Sequence, residues 1–427
     1  MWDRTTRKPD YILMVTVGAL VAMGLVMVYS ASFVEAFTLH DSQYYYALRQ
    51  LVGALIGTVG MLLAMRVQYR FLRRYALQIM VFAIIMLVLV LVLPESITTV
   101  NSSRSWIRLG GGFFSIQPSE IAKLAIIIYF ASWLSHRTTK LGNVTYGLLP
   151  FAVMLGFVCG LIMLEPDLGT TMVIVVIASA VYFAAGANLI HIAGALVVGG
   201  GAFWLLVYVI GIRNLRIAAF LDPWKYYDGP GYQPIHALYA LASGGLFGDG
   251  LGLGRQKFQW LPQAHTDAIY AIIGEELGLI GTLLVLAGFV VIAYRGARIA
   301  ARAPDAFTSL VATGITTWLV LQALLNISVT TSLVPFTGLT LPFLSYGSSS
   351  LIMCMVSTGV LLNISRHTVN APVEEEMDAA PIRRNASLAN LAAAAQRAVA
   401  PAVRWGYRRA RLPSAGGSRR AASWRRR

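Results

Sequence analysis

Six stretches of the chain, 11–34, 75–94, 141–164, 168–212, 277–294 and 306–365, contain no Asp, Glu, Lys or Arg. A helix needs roughly 20 apolar residues to cross about 30 Å of hydrocarbon, so each gap is read as one or more membrane spans. The 45 residues of 168–212 hold two spans, broken near AAGANLIH (184–191). The 60 residues of 306–365 hold two more, broken by TTSLVPFTG (330–338). Another span covers 50–65, between Arg49 and Arg66. The last begins near Glu120, and its charge-free part, 124–136, is 13 residues, about 20 Å of helix. It crosses only by taking Lys123 and Glu120 into the protein interior. The expected fold is an all-α polytopic membrane protein of about ten transmembrane helices. The composition agrees, with 57% hydrophobic and 12% charged residues against about a quarter charged in soluble domains.

Orientation follows from the basic residues of the short loops. Arg4, Arg7 and Lys8, then Arg70, Arg73 and Arg74, then Arg137 and Lys140, then Arg295, Arg298 and Arg302 all fall on one side. That side is read as cytoplasmic, with both termini inside. Segments 95–118 and 214–265 are then outer loops, the larger lying between helices 7 and 8. A membrane domain is expected over 1–366 and a tail over 367–427. From Ser365 onward there are 13 Arg and 4 acids, giving +9 of the total +15. Such a tail could suggest nucleic acid. The preferred reading is a disordered cytoplasmic tail held near anionic membrane lipid, with no nucleic-acid partner. Its stretch SLANLAAAAQRAVAPAVRWGYRRARL fits a short basic helix on the membrane surface. Cys159 and Cys354 both sit in apolar spans and read as packing residues.

Ionisable groups placed against the solvent rule mark candidate function. In QPSEIAK (117–123), Glu120 and Lys123 share a helix face and can pair; Lys123 also suits a phosphate or pyrophosphate headgroup. In LEPDLGTT (164–171), Glu165 and Asp167 either converge on a ligand or cap the next helix. The outer segment from 213 to 265 is rich in glycine, aromatics and cations, Lys257 among them, which suits sugars and phosphates. Its ALYALASGGLFG portion fits a short amphipathic helix along the outer surface. Asp267 follows in LPQAHTDAIYAIIGEELG (261–278) and reads either as a helix cap or as a desolvated general base, with His265 nearby. On one straight helix, Glu275 would lie about 12 Å along from Asp267 and about 80° around it, with Glu276 on the opposite face. No carboxylate dyad forms that way. Asp267 is therefore expected to act alone or with groups from other helices, while Glu275 and Glu276 fix packing.

The motifs GLVMVYSAS (24–32), SWIRLGGGFFSIQPSEIAKLA (105–125), LEPDLGTT, FLDPWKYYDGPGYQ (220–233), LPQAHTDAIYAIIGEELGLIG (261–281) and LVPFTGLTLPFLSYGSSSL (333–351) span the membrane part. Together they resemble the SEDS family (shape, elongation, division and sporulation), bacterial membrane proteins that polymerise peptidoglycan glycan strands. MVYSAS, DPW…GYQ and IGEELG are more similar to the division members than to the elongation members. The resemblance implies a multi-pass protein of the bacterial cytoplasmic membrane at the division septum. It implies lipid II, the undecaprenyl-pyrophosphate-linked disaccharide peptide, as substrate, and a class B penicillin-binding protein and other division proteins as partners. It also implies Asp267 as catalytic base, with Glu120 and Lys123 as important intramembrane groups. Arg104 beside Trp106 matches the family's Arg-x-Trp element, and Arg104, Arg108 and Lys123 become candidates to hold the pyrophosphate. A divalent cation, Mg or Mn, stays open as a helper. The sequence departs from the family pattern at Gln263, Ala268, Tyr270, Ser348 and Ser105. Two rival readings use the same residues: a lipid II flippase, and an elongation-type polymerase.

Overall fold

A computed structural model describes residues 8–100, 103–109, 114–136, 144–187 and 214–368, together with positions 194, 199–201 and 211. The basic tail and most of the expected seventh span lie outside the described residues. Among the described residues ten principal helices carry the fold: α1 Tyr11–His40, α2 Tyr45–Arg66, α3 Ala76–Val92, α4 Pro118–Ser135, α5 Leu149–Leu164, α6 Leu168–Ala184, α7 Tyr232–Ser243, α8 Ile269–Ala301, α9 Ala306–Thr330 and α10 Ser348–Ser365. Five of them (α1, α2, α8, α9 and α10) are long and apolar enough to cross a bilayer, and α3, α5 and α6 are shorter apolar helices. Among the described residues strand is confined to two small antiparallel ribbons, Thr99–Val100 with Ser103–Arg104 and Ile107–Leu109 with Phe114–Ile116.

Local chemistry sets the helix ends. Asp10 caps α1 by accepting the Leu13 N–H, and Asp305 and Thr308 form a reciprocal capping box at the start of α9. Pro118 stands in the first turn of α4, where its missing N–H costs nothing. Small residues set the closest approach. Gly53 and Gly57 of α2 face Ser348 and Met355 of α10, where an added Cβ would lie 2.9 and 2.6 Å from their side chains. This is the spacing that lets membrane helices pack backbone to backbone. The outward faces keep large apolar side chains exposed, such as Val15 and Leu55, as a lipid-facing surface requires.

Three sequence expectations need correction. The break between the last two helices runs from 331 to 347 rather than 330–338, because Gly338 and Gly347 hold positive φ and α10 starts only at Ser348. The helix of the ALYALASGGLFG region is α7, and it buries Ile235, His236, Ala237 and Ala240 in packing against α8 rather than only lying along a surface. Helix α8 begins at Ile269 and is not the one straight helix expected, because it breaks at Gly278, where φ is 65° and ψ is −164°. The stretch 244–254 repairs that break. Asp249 and Gly250 donate their N–H groups to the Glu275 and Glu276 carbonyls, and Leu279 and Ile280 donate to the Gly245 and Leu246 carbonyls. Four of the backbone groups around the kink thus find partners in the loop.

Candidate active site

Asp267 lies in the turn before α8, not on the helix. The helix cap is Ala268, which makes no side-chain cap bond, so the capping reading of Asp267 does not hold. Gln263 takes a positive φ of 55°, and its carbonyl accepts N–H bonds from Thr266 and Ala268. The Thr266 hydroxyl donates to the Gln263 side chain at 2.8 Å. Two elements from elsewhere hold this turn. Asn326 of α9 donates to the Asp267 carbonyl at 2.8 Å and to the Leu339 carbonyl at 2.7 Å, and Tyr346 donates its N–H to the His265 carbonyl.

The Asp267 carboxylate is half-buried. Its Oδ1 accepts long bonds from Gln233 of α7 at 3.4 Å and from Thr266 at 3.3 Å, and no other described residue donates to Oδ2. Burial pushes its pKa up to about 6, against the pull of its own N–H, the Thr266 hydroxyl, and the charges of Arg216 and His265. Beside it opens a cavity of about 560 Å³, walled in part by Arg216, Asp228, Gln233 and Phe336. Arg216 is anchored there by donating to the Phe336 carbonyl at 3.2 Å. A carboxylate raised toward pH 6, bonded to a wall residue (Gln233) of a cavity that also holds a guanidinium, suits proton abstraction beside a developing anion.

The other expected site residues divide by burial. Lys123 is completely buried, bonded to Glu120 at 2.7 Å and to Gln322 at 2.8 Å, with Trp318 4.9 Å below the ammonium. The structure carries the pairing reading; this ammonium is not presented to an outer phosphate. Gln322 also donates to the Thr340 carbonyl. One turn apart on α9, Gln322 and Asn326 therefore grip adjacent residues of the 331–347 segment and connect the Lys123 cluster to the Asp267 turn. Asp167 is a cap, accepting the Thr170 N–H at 2.9 Å and the Thr170 hydroxyl at 2.7 Å. Glu165 is buried with neither carboxylate oxygen hydrogen-bonded; burial and Asp167 push its pKa up to about 8. Its carbonyl accepts from Ser105 in the outer hairpin region, where Trp106 is half-buried and Arg108 exposed. Arg104 pairs with Thr99 in the ribbon, and its side chain lies outside the described residues.

Two expectations change. Lys257, expected among the substrate-facing cations, is fully buried and pairs with Glu276 at 2.5 Å and with Ser30 at 3.2 Å. His265 turns to Glu35 at 3.3 Å and packs on Tyr46 and Tyr346, so it does not orient the Asp267 carboxylate. The residues that sequence reasoning missed are Arg216, Gln233, Gln322 and Asn326. Only Gln322 and Asn326 left a signal, as amides inside the long charge-free run 306–365. Among the described residues no three His, Cys, Asp or Glu stand together as metal ligands.

The family model of the FtsW/RodA/SpoVE cell cycle proteins matches residues 11–370. The chain belongs to this family. Another member, stage V sporulation protein E of Bacillus subtilis (strain 168), is 44% identical over 366 residues, covering 85% of this chain and 99% of its own length. A probable peptidoglycan glycosyltransferase FtsW of Trichlorobacter lovleyi is 42% identical, covering 86% and 97%. Two solved FtsW/RodA/SpoVE-like folds also match. One, described as a peptidoglycan synthase complex coordinating polymerization and crosslinking, gives a TM-score of 0.69 at 26% identity over 84% of this chain and 98% of that one. The rod shape determining protein RodA of Thermus thermophilus gives 0.60 at 27% identity over 85% and 98%. Like the fold described above, the FtsW/RodA/SpoVE assignment makes this a multi-pass membrane protein.

Proposed function

We infer that this chain is a peptidoglycan glycosyltransferase that extends glycan strands from lipid II, with Asp267 as general base. The observation that carries the role of Asp267 is the open Oδ2 of a carboxylate raised toward pH 6 beside a cavity that holds Arg216. Oδ2 accepts the proton of the acceptor sugar's 4-hydroxyl as that oxygen attacks the donor's anomeric carbon. The bond from the anomeric carbon to the polyprenyl pyrophosphate breaks, the configuration inverts, and the pyrophosphate leaves with the bonding pair. Gln233 and Thr266 hold Oδ1 and so aim Oδ2. Arg216 stabilises the charge growing on the leaving group, and Arg104 and Arg108 stay as further candidate cations for the pyrophosphate. No step is assigned to a divalent cation.

The relatives named FtsW support a place in septal synthesis, and the matched synthase complex supports a class B penicillin-binding protein as crosslinking partner. The experiment is polymerisation of fluorescent lipid II by the full-length protein with that partner in detergent, where there is no bilayer to flip across. Glycan polymer is expected from the natural chain and none from Asp267→Ala or Asp267→Asn. Polymer at an undiminished rate from Asp267→Asn would remove Asp267 from the mechanism. No polymer from an intact natural complex would leave the flippase reading standing.

A further inference from the structure

At the end of the molecule opposite the Asp267 turn, the start of α1 and the ends of α8 and α10 enclose a second cavity of about 490 Å³. Its walls include Lys8, Asp10, Arg295, Arg298, Arg302 and Ser365, four cations against one acid. The acid is already committed. Asp10 takes the Arg295 guanidinium through two nitrogens, at 2.8 and 2.5 Å, while capping α1 and donating its own N–H to Ser365. Arg295 and Arg298 on α8 and Arg302, its C-cap, follow one another at spacings of three and four, hence on one side of the helix end. Lys8, Arg298 and Arg302 have no ion pair among the described residues.

The positive-inside pattern and the negative end of the α8 dipole account for cations at this level. They do not account for a walled cavity in which one arginine is locked in place and three cations are left over. The surface at the cavity's lip is apolar. Tyr11 and Ile12 line it while staying 52% and 54% exposed, and Val15, one turn further along α1, is 66% exposed. We propose that this cleft binds the phosphate headgroup of an anionic phospholipid of the cytoplasmic leaflet. The phosphate sits among Lys8, Arg298 and Arg302 in charge-assisted hydrogen bonds, and the acyl chains run along Tyr11, Ile12 and Val15. The apolar lip is what favours a lipid over a free phosphate ion.

The test uses the full-length protein in neutral detergent, titrated with phosphatidylglycerol, phosphatidylcholine or inorganic phosphate. Bound lipid is counted by native mass spectrometry, and stability is followed by thermal denaturation. Phosphatidylglycerol is expected to be retained and to raise the melting temperature, with the other two doing neither. Replacing both Arg298 and Arg302 by Ala should weaken retention roughly 30-fold, from the usual contribution of a basic residue near anionic lipid. The Arg298→Lys, Arg302→Lys pair should bind within a few-fold of the natural chain, which guards against a folding defect. Arg70→Ala, at an exposed basic position outside the cleft, should bind normally. Equal retention of the two lipids, equal protection by inorganic phosphate, or equal loss in Arg70→Ala would each overturn the assignment.

Discussion

Asp267 and Glu276 stand nine residues apart in one motif and under opposite conditions. Glu276 is completely buried and saturated, with Lys257, Ser30 and the Gly252 N–H all directed at it. Asp267 is half-buried and held by two long bonds to one oxygen. An ionised group in the interior must be fully compensated to be tolerated, so Glu276 and Lys257 have nothing left for a ligand. A group meant to gain and lose a proton must be left incompletely satisfied, at some cost in stability. Saturation, more than charge or motif membership, separates the joint from the tool.

The contrast can be broken most forcefully at the joint. Lys257→Met strands the buried Glu276 carboxylate and is expected to cost about 3–5 kcal/mol; Lys257→Met with Glu276→Leu should recover most of it. Thermal denaturation in detergent reads both, and a mild effect of the single change would mean the pair is not the joint described. At the tool the sign reverses. Burial raises the Asp267 pKa from 3.8 to about 6, so the fold disfavours the ionised form. Stability is lost as pH rises from about 4 to 6, and above that the whole penalty is present. Asp267→Asn should therefore be more stable at pH 7.5, by about 3 kcal/mol, while inactive; a destabilised Asn variant would refute the difference.

The same pKa sets the rate profile. A base must be deprotonated, so polymerisation should fall about tenfold per pH unit below about 6 and level off above it. A profile flat down to pH 5 would show that another group takes the proton. The smallest effect belongs to Asp167. Its replacement by Ala should cost about 1 kcal/mol, the worth of a helix cap, with polymerisation rates within a few-fold of normal. A large loss of rate there would move Asp167 from cap to site.

The spans were legible because hydrocarbon forbids charge, and the charge-free gaps mark most of the helices. Asp267 was legible because an acid at a membrane edge breaks the same rule. The rest needed three dimensions. The break at Gly278 is possible only because backbone thirty residues earlier in the chain completes its hydrogen bonds, and no local pattern announces that partner. Gln322 and Asn326 were overlooked because an amide carries no charge, although both are among the most constrained groups in the structure. Arg216 was one cation among several in the outer segment. Its position is fixed by Phe336, 120 residues away, as the role of Lys257 is fixed by Glu276 and Ser30.

The repaired break in α8 has a consequence for how the protein is made. Beyond Gly278 the helix still has 23 residues, 279–301, about 34 Å and enough to cross the bilayer alone. That segment can enter the membrane as an ordinary span. The turns before it cannot close until the glycine-rich stretch 244–254 has reached the outer side and supplied its backbone groups. Insertion of 279–301 therefore does not depend on closing the break, and the turns before Gly278 close only against the backbone of 244–254.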